Sequence, residues 1–148
     1  MASIDDLKGQ TVAIDTAPFI YFIEQHPTFL SKVDAIFESA ERGEIRAITS
    51  VLTLLEVLVQ PIRNGRTDLA DEYRRILLGS AAIRVFPVDA AVAEAAATLR
   101  ATSNIKTPDS IQLATALVHG AHFFITGDAR MPFTSGLRIL TPADLHYF

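Results

Sequence analysis

Four carboxylates in this 148-residue chain stand where simple solvation does not account for them. Asp15 directly follows an apolar run, Val12-Ala13-Ile14, and Asp128 follows a second, HFFIT at 122–126. An acid just past such a strand faces the crevice at the carboxyl edge of an open α/β sheet. Glu56 lies inside LTLLEVLV, where a carboxylate is costly unless it is paired or binds a cation. Asp109 falls in the first turn of a helix that opens Thr107-Pro108-Asp109-Ser110, a position the helix dipole favours for negative charge. Two of them have a bland alternative, since Asp15 is a favoured helix cap and Asp109 complements a dipole. Together they point elsewhere: four carboxylates at one rim repel one another, and a hard divalent cation with oxygen ligands, Mg²⁺ or Mn²⁺, is the usual remedy. The other acids, such as Glu38, Glu41, Asp68, Asp71 and Glu72, fall on solvated helix faces.

The elements that must position these acids follow from hydrophobic spacing. After Asp15, Pro18 suits a first helical turn and Phe19, Ile20, Phe22 and Ile23 continue it. A second helix carries Phe29, Val33, Ile36 and Phe37 up to Arg42-Gly43. A short strand spans 44–49, Ser50 caps a very apolar helix that ends near Pro61, and a turn at 63–66 leads to an amphipathic helix over 67–78. A strand covers 83–88, and Asp89 caps an alanine-rich helix to about Thr102. Thr107 is the expected cap of the next helix, which Gly120 ends; strands over 122–126 and 137–140 close the chain. Alternating strands and helices predict a three-layer α/β/α fold, with a mostly parallel sheet of about five strands and right-handed crossovers. With the first strand central and the 122–126 strand beside it, Asp15 and Asp128 become neighbours.

Composition sets the outer limits. The length and a 49% hydrophobic content suit one well-buried domain spanning residues 1–148. There is no cysteine, which removes thiolate metal sites and cysteine nucleophiles and leans toward the cytoplasm. No stretch approaches a membrane span, and the start of the chain does not read as a targeting segment, so a soluble, unsecreted protein is expected. A net charge of −4 argues against a broad basic nucleic-acid surface, although cations held by clustered acids reverse the local sign. His26, His119, His122 and His146 form no metal-ligand spacing.

Asp15-Thr16 after the first strand, Glu56 in the helix after Ser50, Lys106-Thr107-Pro108-Asp109, and Thr126-Gly127-Asp128 together resemble the PIN-domain pattern, most nearly the VapC-like toxin ribonucleases of toxin–antitoxin pairs. The resemblance runs from about Val12 to Leu140. It implies that Asp15, Glu56, Asp109 and Asp128 are metal-binding catalytic acids, with Thr16 or Thr126 assisting by hydrogen bonding. It further implies metal-dependent endoribonuclease activity on RNA leaving 5′-phosphate and 3′-hydroxyl ends, a homodimer, and a VapB-like antitoxin that blocks the cleft. Arg130 and Lys106 are candidate phosphate contacts, and Lys106 is equally suited to pairing with an acid. Two positions depart from the pattern: Ala17 stands where many relatives have Asn or Ser, and Gly127 where many have Asn or another polar residue. A haloacid-dehalogenase-like phosphatase is disfavoured because its second Asp would fall on Ala17, and a Rossmann nucleotide binder because no G-x-G-x-x-G follows the first strand. A noncatalytic RNA- or protein-binding module on the same fold is the alternative from another class.

Overall fold

The computed structural model describes residues 2–132 and 134–146. In chain order the elements are β1 (Ala2–Ser3), α1 (Ile4–Leu7), β2 (Thr11–Ile14), α2 (Thr16–Ile23), α3 (Leu30–Glu41), β3 (Arg46–Ser50), α4 (Val51–Arg63), α5 (Thr67–Gly79), β4 (Ile83–Phe86), α6 (Ala90–Thr102), α7 (Thr107–Val118), β5 (Phe123–Ile125), β6 (Arg138–Leu140) and β7 (Leu145–His146). Five strands form one sheet in the order β4-β3-β2-β5-β6, and every pairing in it is parallel. β2 is therefore central and β5 lies beside it, as the apolar runs imply.

Because successive strand residues point to opposite faces, β2 feeds two cores. Val12 and Ile14 pack with Phe19, Val33, Ile36, Val57 and Tyr73 on the α2–α5 side. Ala13 joins Ile48, Leu113, Ala116 and Phe124 on the α7 side. Both faces are covered, which is why the strands read as continuous apolar runs.

Capping fixes where several helices begin. Ser50 Oγ accepts from Leu52 N and Asp89 Oδ1 from Val92 N, as the sequence implies. Thr107 is not a cap: α7 begins at Thr107 itself, Lys106 is the residue before it, and the Thr107 hydroxyl instead accepts from Arg100 Nη1. The Pro61 helix runs two residues further, to Arg63, because the missing N–H falls in the last turn where few bonds remain to be lost. Gly120, at φ +73°, turns the chain out of α7 in a conformation that favours glycine. Sequence spacing missed the parallel pairing of β1 with β7, which joins the two ends of the described chain. No described helix is long and apolar enough to cross a membrane.

Candidate active site

Asp15 sits at the N-cap of α2, one residue past β2. Its backbone N–H donates to the Ile125 carbonyl at 2.9 Å, so the β2–β5 ladder continues one step beyond the strands and brings Asp15 beside Thr126. Thr16 N–H donates to Asp15 Oδ1 at 2.8 Å and Thr126 Oγ1 donates to Oδ2 at 2.8 Å. Thr126 Oγ1 also accepts from the Asp128 N–H at 3.1 Å. One hydroxyl thus links the first acid to the backbone of the fourth. Asp15 thus meets the start of α2 through Oδ1 and Thr126 through Oδ2.

Glu56 is tied to the same corner. Thr16 Oγ1 donates to Glu56 Oε1 at 2.6 Å. Beneath them lies a polar network that spacing did not reveal. Gln112 Nε2 donates to Thr53 Oγ1 at 3.0 Å and lies 3.5 Å from Glu56 Oε1. Thr53 and Thr49 hydroxyls are 2.8 Å apart, and Thr49 Oγ1 donates to the Ile14 carbonyl at 2.7 Å. Thr49, Thr53 and Gln112 are all buried. Thr53 precedes Glu56 by three on α4, and Gln112 follows Asp109 by three on α7, so each helix presents an acid and its support on one face. The available signal was a polar residue three positions from an acid on each of the two helices.

Asp109 lines a cleft of about 260 Å³ with Lys106, Asp128, Arg130 and Met131. Asp128 is not the unpaired carboxylate that repulsion alone would suggest. Its Oδ1 accepts from both Arg130 N, at 2.8 Å, and Arg130 Nε, at 3.1 Å. Arg130, expected to meet phosphate, is thus turned onto Asp128, on a side chain 91% exposed. Lys106 forms no ion pair among the described residues, and its charge acts on both Asp109 and Asp128.

The acids sense one another. Burial pushes Asp15 from an ordinary 3.8 to about 6, opposed by its two hydrogen bonds and reinforced by the charges of Asp109 and Glu56. Burial first, then Asp128 and Glu56, hold Asp109 above its ordinary value. Hydrogen bonds from Arg130 hold Asp128 below the usual carboxylate range. The donor set, four carboxylates with two hydroxyls and no sulfur or imidazole, fits a hard dication. Among the described residues, however, no three acid or histidine side chains are grouped closely enough to hold a metal ion. Glu56 meets Thr16 and Asp128 meets Arg130.

The two departures from the pattern meet in space. A Cβ added at Gly127 would lie 2.7 Å from the Tyr21 hydroxyl and 2.8 Å from Ala17 Cβ. A larger residue at position 127 requires Tyr21 or the β5–α2 contact to move.

Comparison with known proteins bears on this arrangement. A family model described as the PIN domain matches residues 12–136. No curated protein matches the chain. Among solved structures, a toxin–antitoxin complex from Klebsiella pneumoniae is similar at 21% identity and TM-score 0.66, over 88% of this chain and 97% of that one. VapBC2 from Rickettsia felis, bound to a DNA fragment from its promoter, is similar at 15% identity and TM-score 0.69, over 88% and 98%. VapC20 from Mycobacterium tuberculosis, described as a sarcin-ricin loop cleaving toxin, is similar at 17% identity and TM-score 0.67, over 81% and 92%.

Proposed function

Because the chain belongs to the PIN-domain family, we propose that its four carboxylates form the catalytic centre of a metal-dependent endoribonuclease, the toxin of a VapBC-type pair. The observation that carries this reading is Asp15: a mostly buried carboxylate, fixed by Thr16 and Thr126 and raised to about 6 partly by the charges of Asp109 and Glu56. An acid held this way at a sheet edge is prepared for positive charge.

Asp15, Glu56, Asp109 and Asp128 would hold the cation, Mg²⁺ or Mn²⁺. When bound, such an ion acidifies water and neutralises charge on a phosphodiester. The protein's own contribution is positional. Thr126 and the Thr16 N–H fix both oxygens of Asp15, Thr16 Oγ1 fixes Glu56, and Lys106 supplies a cation at the mouth of the cleft. Arg130 reaches RNA phosphate once it leaves Asp128, an exchange made easy by its exposure.

For partners, the reading takes RNA as substrate, a VapB-like antitoxin as inhibitor and a second copy in a homodimer. The antitoxin is supported by the complexes among the similar structures and by α4, which exposes Val51, Leu55, Val59 and Ile62 along one side.

The test is cleavage of end-labelled RNA by the purified chain with Mg²⁺, with Mn²⁺ and with EDTA, beside Asp109→Asn. Cutting should require the metal, leave 5′-phosphate ends and disappear in the variant. Cutting that persists in EDTA, or unchanged in both Asp109→Asn and Asp15→Asn, refutes the assignment. RNA binding without cutting under every condition would favour a noncatalytic module instead.

A further inference from the structure

We propose that a second cleft, at the opposite end of the sheet from the acids, binds phosphoryl groups through the guanidinium groups of Arg46 and Arg84. The cleft measures about 410 Å³ and is lined by Thr11, Arg46, Ile48, Arg84, Phe86 and His119, among others. Thr11 opens β2, four residues before Asp15, so the two sites are separated by about 13 Å along the strand at a rise of about 3.3 Å per residue. The site stands apart from the nuclease reading and does not rest on it.

The sheet register places the two cations together. Thr11 pairs with Arg46 and Ile48 pairs with Arg84, so Arg46 and Arg84 project from the same face of adjacent strands, one pleat repeat apart. α7 covers that face further along and ends at Val118, with His119 as its last residue over this corner.

Each guanidinium is oriented by neutral groups, which leaves its charge unspent. Arg46 donates from Nε to Thr11 Oγ1 at 3.0 Å and from Nη2 to the Gly9 carbonyl at 3.4 Å. Arg84 lies 4.6 Å over the Phe86 ring, and that ring stacks on His119 with centroids 3.5 Å apart and planes 11° from parallel. Neither arginine forms an ion pair among the described residues, whereas Arg42, Arg66, Arg74 and Arg130 each pair with an acid. What sets Arg46 and Arg84 apart is that they share one wall of a cleft, on adjacent strands, with no carboxylate among the described residues lining it.

The chemistry selects the ligand class. Two guanidinium groups on one wall, with Arg46 Nη1 left free by its bonds to Thr11 and Gly9, suit the several oxygens and higher charge of a phosphoryl group. Phe86 is already stacked on His119 and overlain by Arg84, so it orients a guanidinium rather than receiving a base. His119 Nε2 is buried without a hydrogen-bond partner and adds an unused polar atom to the wall. The phosphoryl group could belong to a free phosphate or nucleotide or to an RNA backbone, and the titration separates these sources.

The test is an ¹H–¹⁵N NMR titration of the full chain in EDTA with inorganic phosphate, then AMP, then a short single-stranded RNA. Saturable shifts at Arg46, Ile48, Arg84 and Phe86 are expected, weakened about tenfold or more in Arg84→Gln and in Arg46→Gln, as loss of a charge-assisted contact implies. The control Arg63→Gln/Arg75→Gln should bind as the parent does. RNA displacing AMP from these residues identifies a polymer backbone; RNA that leaves AMP in place identifies a free anion. No saturable shift in the parent overturns the proposal, as does equal binding by the parent and Arg84→Gln, or equal weakening in the control. Should Arg84→Gln lose its native spectrum, Arg84→Lys keeps the charge and removes the fork, and undiminished phosphate binding there also overturns it.

Discussion

Replacing Asp15 by Asn should make this protein more stable while removing its proposed activity. The folded carboxyl titrates near 6 against an ordinary 3.8, so the folded state binds its proton more tightly than the unfolded chain does. Below 3.8 both states are protonated and there is no penalty. Between 3.8 and about 6 stability falls as pH rises, and above about 6 the whole cost is present. At about 1.4 kcal/mol per pH unit, the cost of carrying an ionised Asp15 at pH 7.5 is about 3 kcal/mol. Asn keeps an oxygen for the Thr16 N–H, but its amide points a donor at Thr126 Oγ1, which already accepts from Asp128 N–H. The Thr126 proton then loses its acceptor, at a cost of about 1 kcal/mol. The net gain of about 2 kcal/mol corresponds to about 4–8 °C in Tm for a chain of this size. Thermal melts of parent and variant in EDTA from pH 3.5 to 8 measure it directly. The variant's advantage should be largest above pH 6.5, shrink as the pH falls, and give way below pH 4 to a deficit of about 1 kcal/mol, where only the lost hydrogen bond remains. A variant no more stable than the parent at pH 7.5, or a difference independent of pH, would refute the account of Asp15 as a carboxylate ionised against its surroundings. Adding Mg²⁺ at pH 7.5 should raise the parent's Tm and leave the variant's nearly unchanged, because ligand binding stabilises only the chain that retains the site.

Two further substitutions test the support around that acid. Gln112→Leu removes the donor that serves the buried Thr53 hydroxyl and should cost about 1–3 kcal/mol in urea unfolding, with RNA cleavage reduced because Glu56 loses a neighbour at 3.5 Å; an unchanged midpoint would show the network to be incidental. Gly127→Ala forces its Cβ against Tyr21 and Ala17 and should cost about 1–3 kcal/mol, partly restored by Tyr21→Phe in a double-mutant cycle; additive losses would mean that the two positions do not touch.

The parallel sheet, the central place of β2 with β5 beside it, and the placement of Asp15, Asp109 and Asp128 at strand ends or a helix start were legible because they depend on long apolar runs and on caps. α6 begins after Asp89 and ends at Thr102, as the cap and the alanine run imply. What escaped had no periodicity to show it. β1 and β7 are two residues each and pair across nearly the whole chain, a length at which alternation carries no signal. Thr53 and Gln112 each share a helix face with an acid, and spacing does not show that a side chain there is buried or what it bonds. The Asp128–Arg130 contact is a turn-local pair, and sequence offers an arginine two residues from an acid without showing where its guanidinium points. Thr107 was displaced as a cap by one residue, within the ordinary spread of helix ends.

The same details rank the acids by how firmly each is held. Asp15 has a partner on each oxygen, both from residues anchored at the sheet edge, and Thr126 is fully buried. Glu56 is held by one short hydrogen bond from Thr16, whose backbone N–H is also a partner of Asp15, so these two carboxylates move together or not at all. Asp128 is held by the Arg130 backbone N–H at 2.8 Å and by a guanidinium that is almost wholly in water, and the exposed ion pair contributes little. Asp109 has no hydrogen bond of its own among the described residues, only the helix start beneath it and the charges around it. Asp15 and Glu56 are thus the more firmly held pair, and on the proposed reading a cation shared by all four acids would draw Asp128 from the Arg130 guanidinium rather than change the sheet. An arginine freed in that exchange stands at the mouth of the cleft with its charge restored, where an anionic substrate would meet it.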